Sequence, residues 1–184
     1  MKLVILDRDG VINVDSDAFI KSPDEWVALP GALEAIARLN QAGYRVAIAT
    51  NQSGIGRGLF TEADFRTLMD YMSAEFRRHG VPIAAIYHAP EHPTEGVGRY
   101  RRDSPWRKPH PGMILAAQHD LGLDLSRSWG IGDETRDIVA CRDAGVATLV
   151  LLDDSAAAPA KKDGVWVMPR LADVLALAEG EKTA

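Results

Sequence analysis

Cysteine is nearly missing: Cys141 stands alone in 184 residues. It has no partner for an intramolecular disulfide, and no Cys-x-x-Cys pair exists to hold zinc. It reads as a small apolar side chain on a helix. Long apolar runs are missing as well, since none approaches the roughly 18 residues a membrane span needs. The first residues, Lys2-Leu3-Val4-Ile5-Leu6, run straight into Asp7, which is not the plan of a signal peptide. The expectation is a cytoplasmic protein without a membrane partner. Basic charge is not in excess either. Lys and Arg number 21 against 26 Asp and Glu, for a net charge of −5. Nucleic-acid binding rests on neutralising phosphates, so no nucleic-acid partner is expected. A local basic cluster can still hold a small phosphorylated molecule, because field strength depends on position. There is no internal repeat, no low-complexity linker and no exposed apolar stripe asking for a partner, so a monomer is expected.

Hydrophobic residues make up 46% and charged residues 26%. That excludes disordered and collagen-like chains. The length suits one domain over residues 1–184, large enough to bury a core without staples. Short apolar runs alternate with helical patterns. Leu3 to Leu6, Val46 to Thr50, Ala84 to Tyr87, Trp129 to Ile131 and Ala147 to Leu152 read as strands buried on both faces, and Val165 to Val167 as a sixth. Helices are expected from Pro30-Gly31 to Ala42, after a cap at Thr61 as far as Gly80, from Gly112 to Leu121, from Thr135 to Ala144 and from Leu171 to Ala178. Phe65, Leu68, Met69, Met72 and Phe76 fall at helical spacing and belong to the core. Strands alternating with helices imply an α/β fold, a doubly wound, Rossmann-like parallel sheet flanked by helices. Two irregular stretches, Val11 to Leu29 and Ala89 to Pro109, are long enough to suggest function. Ser155 to Gly164 and the last five residues read as flexible.

In such sheets ligands bind beyond the carboxyl ends of the strands. Four unusual clusters fall there. Asp7-Arg8-Asp9-Gly10 follows the first strand and places two carboxylates in a turn. Thr50-Asn51-Gln52-Ser53-Gly54 follows the second, with a hydroxyl, amides and glycines suited to wrapping anionic oxygens. Arg107-Lys108 precede the helix that opens at Gly112, where the dipole already favours an anion. Gly132-Asp133-Glu134-Thr135-Arg136-Asp137 follows the fourth strand, with hard carboxylate oxygens suited to Mg²⁺. A turn, a surface charge or a helix cap would explain any one of these alone. Four at successive strand ends describe acidic metal ligands, a nucleophile, and cationic and hydroxyl groups for a phosphate.

These residues resemble the haloacid dehalogenase superfamily of phosphatases, whose four motifs they match in order over nearly the whole chain. The runs Asp-Arg-Asp-Gly-Val-Ile-Asn, Ala-Thr-Asn-Gln-Ser-Gly-Ile-Gly-Arg-Gly and Arg-Lys-Pro-His-Pro-Gly-Met are similar to its heptose 1,7-bisphosphate 7-phosphatase branch, which serves lipopolysaccharide precursor synthesis. Histidinol-phosphate phosphatases are the neighbouring branch. The resemblance implies Asp7 as nucleophile and Asp9 as general acid, then base. It implies Thr50, Asn51 and Lys108 on the phosphoryl group, and Mg²⁺ held by Asp7, Asp9 (through its carbonyl) and Asp133. Asp15, Ser16, Asp17, Ala18, Gln52, Ser53 and Arg107 would contact the substrate, a small sugar bisphosphate. Asp137 would orient the metal ligands. Glu134 stands where some members have Lys. Many members carry a zinc site flanking the third loop, at positions that are Ala89, Glu91, Ser104 and Trp106 here, so no zinc is expected despite His88 and His92 nearby. Pro105 and Trp106 would pack that loop instead.

No insertion is long enough for a separate cap domain, so specificity is expected from the two irregular loops. Arg99, Arg101, Arg102 and Arg107, within nine residues, would favour a second phosphate if they face the site. A phosphoacceptor switch domain would also place an Asp after a strand, but it has no use for an acid/base such as Asp9. A phosphomutase would need a cap to exclude water.

Overall fold

The computed structural model describes residues 2–180. Seven strands form one sheet: β1 (Lys2–Leu6), β2 (Tyr44–Asn51), β3 (Ile83–Ala89), β4 (Trp129–Gly132), β5 (Thr148–Leu152), β6 (Ala160–Lys162) and β7 (Val165–Met168). Their spatial order is β3-β2-β1-β4-β5-β7-β6. Every pair is parallel except β6–β7. The chain winds outward from β1 to β2 and β3, then crosses back to β4. The switch point therefore lies between β1 and β4, where a doubly wound sheet opens its ligand crevice.

The helices are α1 (Ala32–Gln41), α2 (Ser53–Gly56), α3 (Glu62–Arg78), α4 (Gly112–Leu121), α5 (Thr135–Ala144) and α6 (Leu175–Gly180), the last preceded by a 3₁₀ turn at Leu171–Val174. Thr61 caps α3 through a full capping box. Its hydroxyl accepts from the Asp64 N–H at 3.1 Å, and the Asp64 carboxylate accepts from the Thr61 N–H at 2.8 Å. Such reciprocal bonds satisfy two donors that a helix start otherwise leaves orphaned.

Alternation along the strands splits the core into two layers. Val4, Leu6, Val46 and Ile48 pack against Ile36 and Leu39 of α1 and against Leu68 and Met72 of α3. Leu3, Ile5, Ala47 and Ala49 face Met113 and Ile114 of α4 and Ile138 and Cys141 of α5. Cys141 sits in this core, and burial pushes its thiol up to about 12, as suits an inert apolar side chain. The second layer is thinner. Gly132 has so little room that a Cβ would stand 2.2 Å from the Asp137 Cβ. That close approach holds the first turn of α5 against the end of β4.

Two local expectations need correction. The stretch from Ser155 to Gly164 is not all loose, because Ala160–Lys162 pairs antiparallel with β7. Asp163 and Gly164 both take positive φ, 50° and 81°, the two-residue turn that joins tight hairpins. The glycine-bearing segment after β2 is also more ordered than a free loop, since Ser53–Gly56 forms a helical turn. Of the last five residues, expected to be flexible, Gly180 is the final residue of α6 and the other four lie outside the described residues. No separate cap domain is found among the described residues.

Leu68 is completely buried on α3. Leu68→Ala is expected to lower the unfolding free energy by about 3 kcal/mol, as truncation of a packed leucine leaves a cavity. Urea denaturation checks it, and a loss under about 1 kcal/mol would contradict this description of the layer.

Candidate active site

Four chain segments meet at the carboxyl ends of β1, β2 and β4. Asp7 leaves β1 while its N–H still donates to the Ile131 carbonyl of β4 at 3.0 Å, which ties the first turn to the switch point. Gly10 then turns the chain with φ +74°, and a Cβ there would lie 2.0 Å from Asp133 Oδ2. The turn therefore packs directly on the carboxylate that follows β4. Only glycine fits both the backbone angle and the space.

Asp9 is held from several sides. The buried Arg8 guanidinium reaches both its oxygens, with Nη2 2.7 Å from Oδ2. Asn13 Nδ2 donates to Oδ1 at 2.9 Å, and Gln52 Nε2 to Oδ2 at 3.0 Å. The same Gln52 nitrogen donates to Thr50 Oγ1 at 2.9 Å, so Asp9 and Thr50 are spaced by one amide. Asn51 serves another purpose. Its Oδ1 accepts from the Lys108 N–H and its Nδ2 donates to the Lys108 carbonyl, both at 3.0 Å. The Asn51 side chain, expected on the phosphate, is occupied in pinning the third loop to β2.

Lys108 is buried behind Asp7. Its Nζ lies 3.0 Å from Asp7 Oδ1 and 2.6 Å from Asp137 Oδ1, and donates to the Ala49 carbonyl at 2.7 Å. Burial alone would lower the Lys108 pKa, but the carboxylates of Asp7 and Asp137 outweigh it and raise it. Asp137 Oδ2 accepts from the Glu134 N–H at 3.0 Å. Both of its oxygens are thus engaged by protein, and it braces Lys108.

Negative charge still exceeds positive here. Desolvation raises Asp7 to about 6 against the pull of Lys108, with repulsion from Asp137 and Asp9 adding to it. Asp133 rises to about 7, again through desolvation, then through Asp7 and Asp137. Asp7, Asp133 and Asp137 can bring one oxygen each within 4.8 Å of one another. Buried carboxylates held at raised pKa are what a divalent cation relieves. Their hard oxygens fit Mg²⁺ with Asp7 and Asp133 as ligands, because Asp137 is already committed to Lys108.

The recess above these groups has a volume of about 250 Å³. Asp7, Asp9, Asp15, Ser16, Asp17, Thr50, Asn51, Gln52, Ser53, Arg107 and Asp133, all expected in the site, line it. Ala18 and Lys108 do not: Lys108 lies buried behind Asp7, and Ala18 lines an adjoining depression with Val14 and Val27. Phe19, Ile20, Arg57 and Arg136 line the recess without having been anticipated. For Arg57 the available signal was its place two residues beyond Gly54-Ile55, and for Arg136 its place in the first turn of α5.

The long loop before α4 also departs from expectation. Among its four arginines only Arg107 lines the recess. Arg99 lies over the Tyr100 ring and donates to its hydroxyl at 2.7 Å, Arg101 is exposed, and Arg102 pairs with Glu91 at 2.5 Å. The mostly buried Glu91 also accepts, through its carbonyl, from Arg107 Nη1 at 3.2 Å. Ser104 Oγ accepts from the Trp106 N–H at 3.4 Å, and the half-exposed Trp106 ring sits 6.0 Å from that of Tyr87.

The HAD-hydrolase-like family model matches residues 105–174. The D-glycero-alpha-D-manno-heptose-1,7-bisphosphate 7-phosphatase of Burkholderia mallei is 46% identical over 153 residues, 83% of this chain and 80% of that one. The D-glycero-beta-D-manno-heptose-1,7-bisphosphate 7-phosphatase of Bordetella bronchiseptica is 48% identical over 147 residues, 80% of this chain and 78% of the other. A crystal structure of D,D-heptose 1,7-bisphosphate phosphatase from B. bronchiseptica, complexed with magnesium and phosphate, superposes with a TM-score of 0.82 at 40% identity, covering 100% of this chain and 99% of that one. Together with the strand-end carboxylates and the buried lysine, these likenesses show that the chain belongs to the haloacid dehalogenase-like hydrolases, in the family of the heptose 1,7-bisphosphate 7-phosphatases.

Proposed function

We propose that this chain is a Mg²⁺-dependent phosphatase that removes the 7-phosphate of D-glycero-D-manno-heptose 1,7-bisphosphate, leaving the 1-phosphate. The observation that carries this reading is one carboxylate, Asp7, that faces the recess with a buried ammonium on one side and a second acidic group, Asp133, on the other. The substrate class follows from the relatives named above and from a recess that combines hydroxyl-binding carboxylates with guanidinium groups.

Asp7 attacks the phosphorus in line, forming an aspartyl-phosphate while the bond to the sugar oxygen breaks. Asp9 gives its proton to that oxygen. It later takes a proton from the water that cleaves the acyl phosphate and restores Asp7. The Arg8, Asn13 and Gln52 bonds keep the Asp9 carboxyl at the recess during both steps. The Thr50 hydroxyl meets the phosphoryl oxygens, the Lys108 charge stabilises them from behind Asp7, and Asn51 fixes where Lys108 stands. Asp7, Asp133 and the Asp9 carbonyl would hold Mg²⁺, which when bound neutralises charge on the equatorial phosphoryl oxygens. Asp15, Ser16 and Asp17 meet the sugar hydroxyls. The enzyme acts as a cytoplasmic monomer. No helix among the described residues is long and apolar enough to cross a membrane.

The direct test is phosphate release with Mg²⁺ from both anomers of the heptose bisphosphate, beside histidinol phosphate and fructose 1,6-bisphosphate. A preference of at least about a hundredfold in kcat/KM, about 2.7 kcal/mol, is expected for the heptose. Similar rates on all four would remove the substrate assignment. Asp7→Asn is expected to cut turnover by at least about 10³-fold with the fold intact, as loss of a nucleophile does; wild-type turnover in that variant would end its role.

Proton linkage gives a further outcome. The native Asp7 and Asp133 pKa values, about 6 and about 7, lie above the unfolded carboxylate range. The metal-free native state therefore binds protons that the unfolded chain has released. These groups favour folding at low pH and lose that contribution as pH rises through 7. Mg²⁺ competes for the same oxygens, so its stabilising shift in melting temperature should be larger at pH 8 than at pH 5.5. Equal shifts at the two pH values would contradict the assigned ligands.

A further inference from the structure

Three guanidinium groups from three separate segments line the recess. Arg107 comes from the loop before α4, Arg57 from the turn after α2, and Arg136 from the first turn of α5. They are close enough to oppose one another's charge. Arg107 has its pKa lowered by burial first, then by Arg136 and by Arg57. Among the described residues each holds a single protein acceptor: Arg57 an ion pair with Glu95, Arg136 a pair with Glu134 at 2.6 Å, Arg107 the Glu91 carbonyl. The Nε atoms of Arg57 and Arg136 are buried and hydrogen-bonded to nothing among the described residues. A guanidinium presents five donors in a rigid fork, so one acceptor leaves most of that capacity unused.

Such a cluster is costly without an anion. Like charges repel, and a buried donor left unpaired forfeits its hydration. The anion is not the reacting phosphoryl group, which the site already provides for with Lys108 and Thr50. Asp15 and Asp17 line the recess alongside Asp9 and would repel a second phosphate set against them, which favours the side of the recess that carries the arginines. The exposed loop arginines cannot supply the charge, as Arg99 and Arg102 are bound to Tyr100 and Glu91 outside the recess.

We propose that Arg57 and Arg136 are specificity-determining residues which, with Arg107, bind the non-reacting phosphate of a bisphosphate substrate. Glu134 and Glu95 serve as resident counter-ions that orient the guanidinium groups until the phosphate arrives. This rests on the phosphatase reading above and adds to it the residues that distinguish a bisphosphate from a monophosphate. A phosphate accepts two parallel N–H bonds from one fork and offers a third oxygen to a neighbour, which suits three convergent arginines.

The experiment compares kcat/KM for D-glycero-D-manno-heptose 1,7-bisphosphate with that for the 7-monophosphate, which lacks only the remote group. The proteins are wild type, Arg57→Ala, Arg136→Ala, Arg136→Lys and, as a control on the exposed loop, Arg101→Ala. Wild type and Arg101→Ala are expected to prefer the bisphosphate alike. Arg57→Ala and Arg136→Ala should each reduce that preference at least tenfold, through KM on the bisphosphate more than through kcat. Arg136→Lys keeps the charge without the fork and should fall between. Arg136→Lys also answers the question should the alanine variants melt early. A preference unchanged within twofold in both alanine variants overturns the proposal, as does a wild type that turns over both substrates equally well. A wild type that releases phosphate from neither overturns the phosphatase reading and the proposal with it.

Discussion

One buried ammonium organises this molecule. Lys108 Nζ touches the Asp7 and Asp137 carboxylates and the Ala49 carbonyl, and so joins the ends of β1 and β2, the start of α5 and the loop before α4. A charge at that depth is tolerated only with partners in good geometry, and removing one partner would strand the other. The grouping is therefore a mutual constraint. Asn51 grips the lysine's backbone, Gly132 lets Asp137 come close enough to meet it, and Asp7 is kept from free rotation. Yet one lysine does not balance the acids around it. Burial and the neighbouring acids leave Asp133 with its pKa raised to about 7, an excess of negative charge that a hard cation would relieve.

Much of this was legible in the sequence because the signals were local. Five of the strands appear as apolar runs because both faces of the sheet are covered, and a parallel strand in that position has no need of polar residues. Asp7, Asp9 and Asp133 stand within three residues of the ends of such runs and Lys108 four residues before the helix that opens at Gly112, so their convergence follows from the winding of the sheet. The departures were of two kinds. Ala160–Lys162 is fully exposed and not apolar as a run, so no hydrophobic pattern marks it; the Asp163-Gly164 turn was its one sign. The others depend on which way a side chain points. Arg99, Arg102 and Arg107 share one loop and one chemistry, but only contacts from elsewhere decide that the first two turn to Tyr100 and Glu91 while the third meets the recess. Ala18 likewise shares a turn with Ser16 and Asp17 but lines only the adjoining depression and not the recess.

The site is built in layers of decreasing rigidity. The floor is made of buried strand ends whose positions the core dictates. The middle consists of polar residues bonded to one another, as Gln52 bridges Asp9 and Thr50. The mouth is made of long side chains paired with carboxylates that are themselves part-exposed, such as Glu95 and Glu134. On the proposed reading, chemistry falls to the buried floor and discrimination among substrates to the more exposed mouth.

At the far side from the site, the sheet ends on β6, whose three residues are exposed and two of which are lysines, with Lys161 Nζ 5.3 Å from the centre of the Trp166 ring. A sheet border with free backbone donors and acceptors is a template for a strand from another molecule. Here the outermost strand is short, reversed in direction and positively charged. A second copy attempting to extend the sheet would meet its own lysines across the seam. The small hairpin thus closes this border of the sheet with charge and reversed direction, features that disfavour pairing with a strand from another molecule.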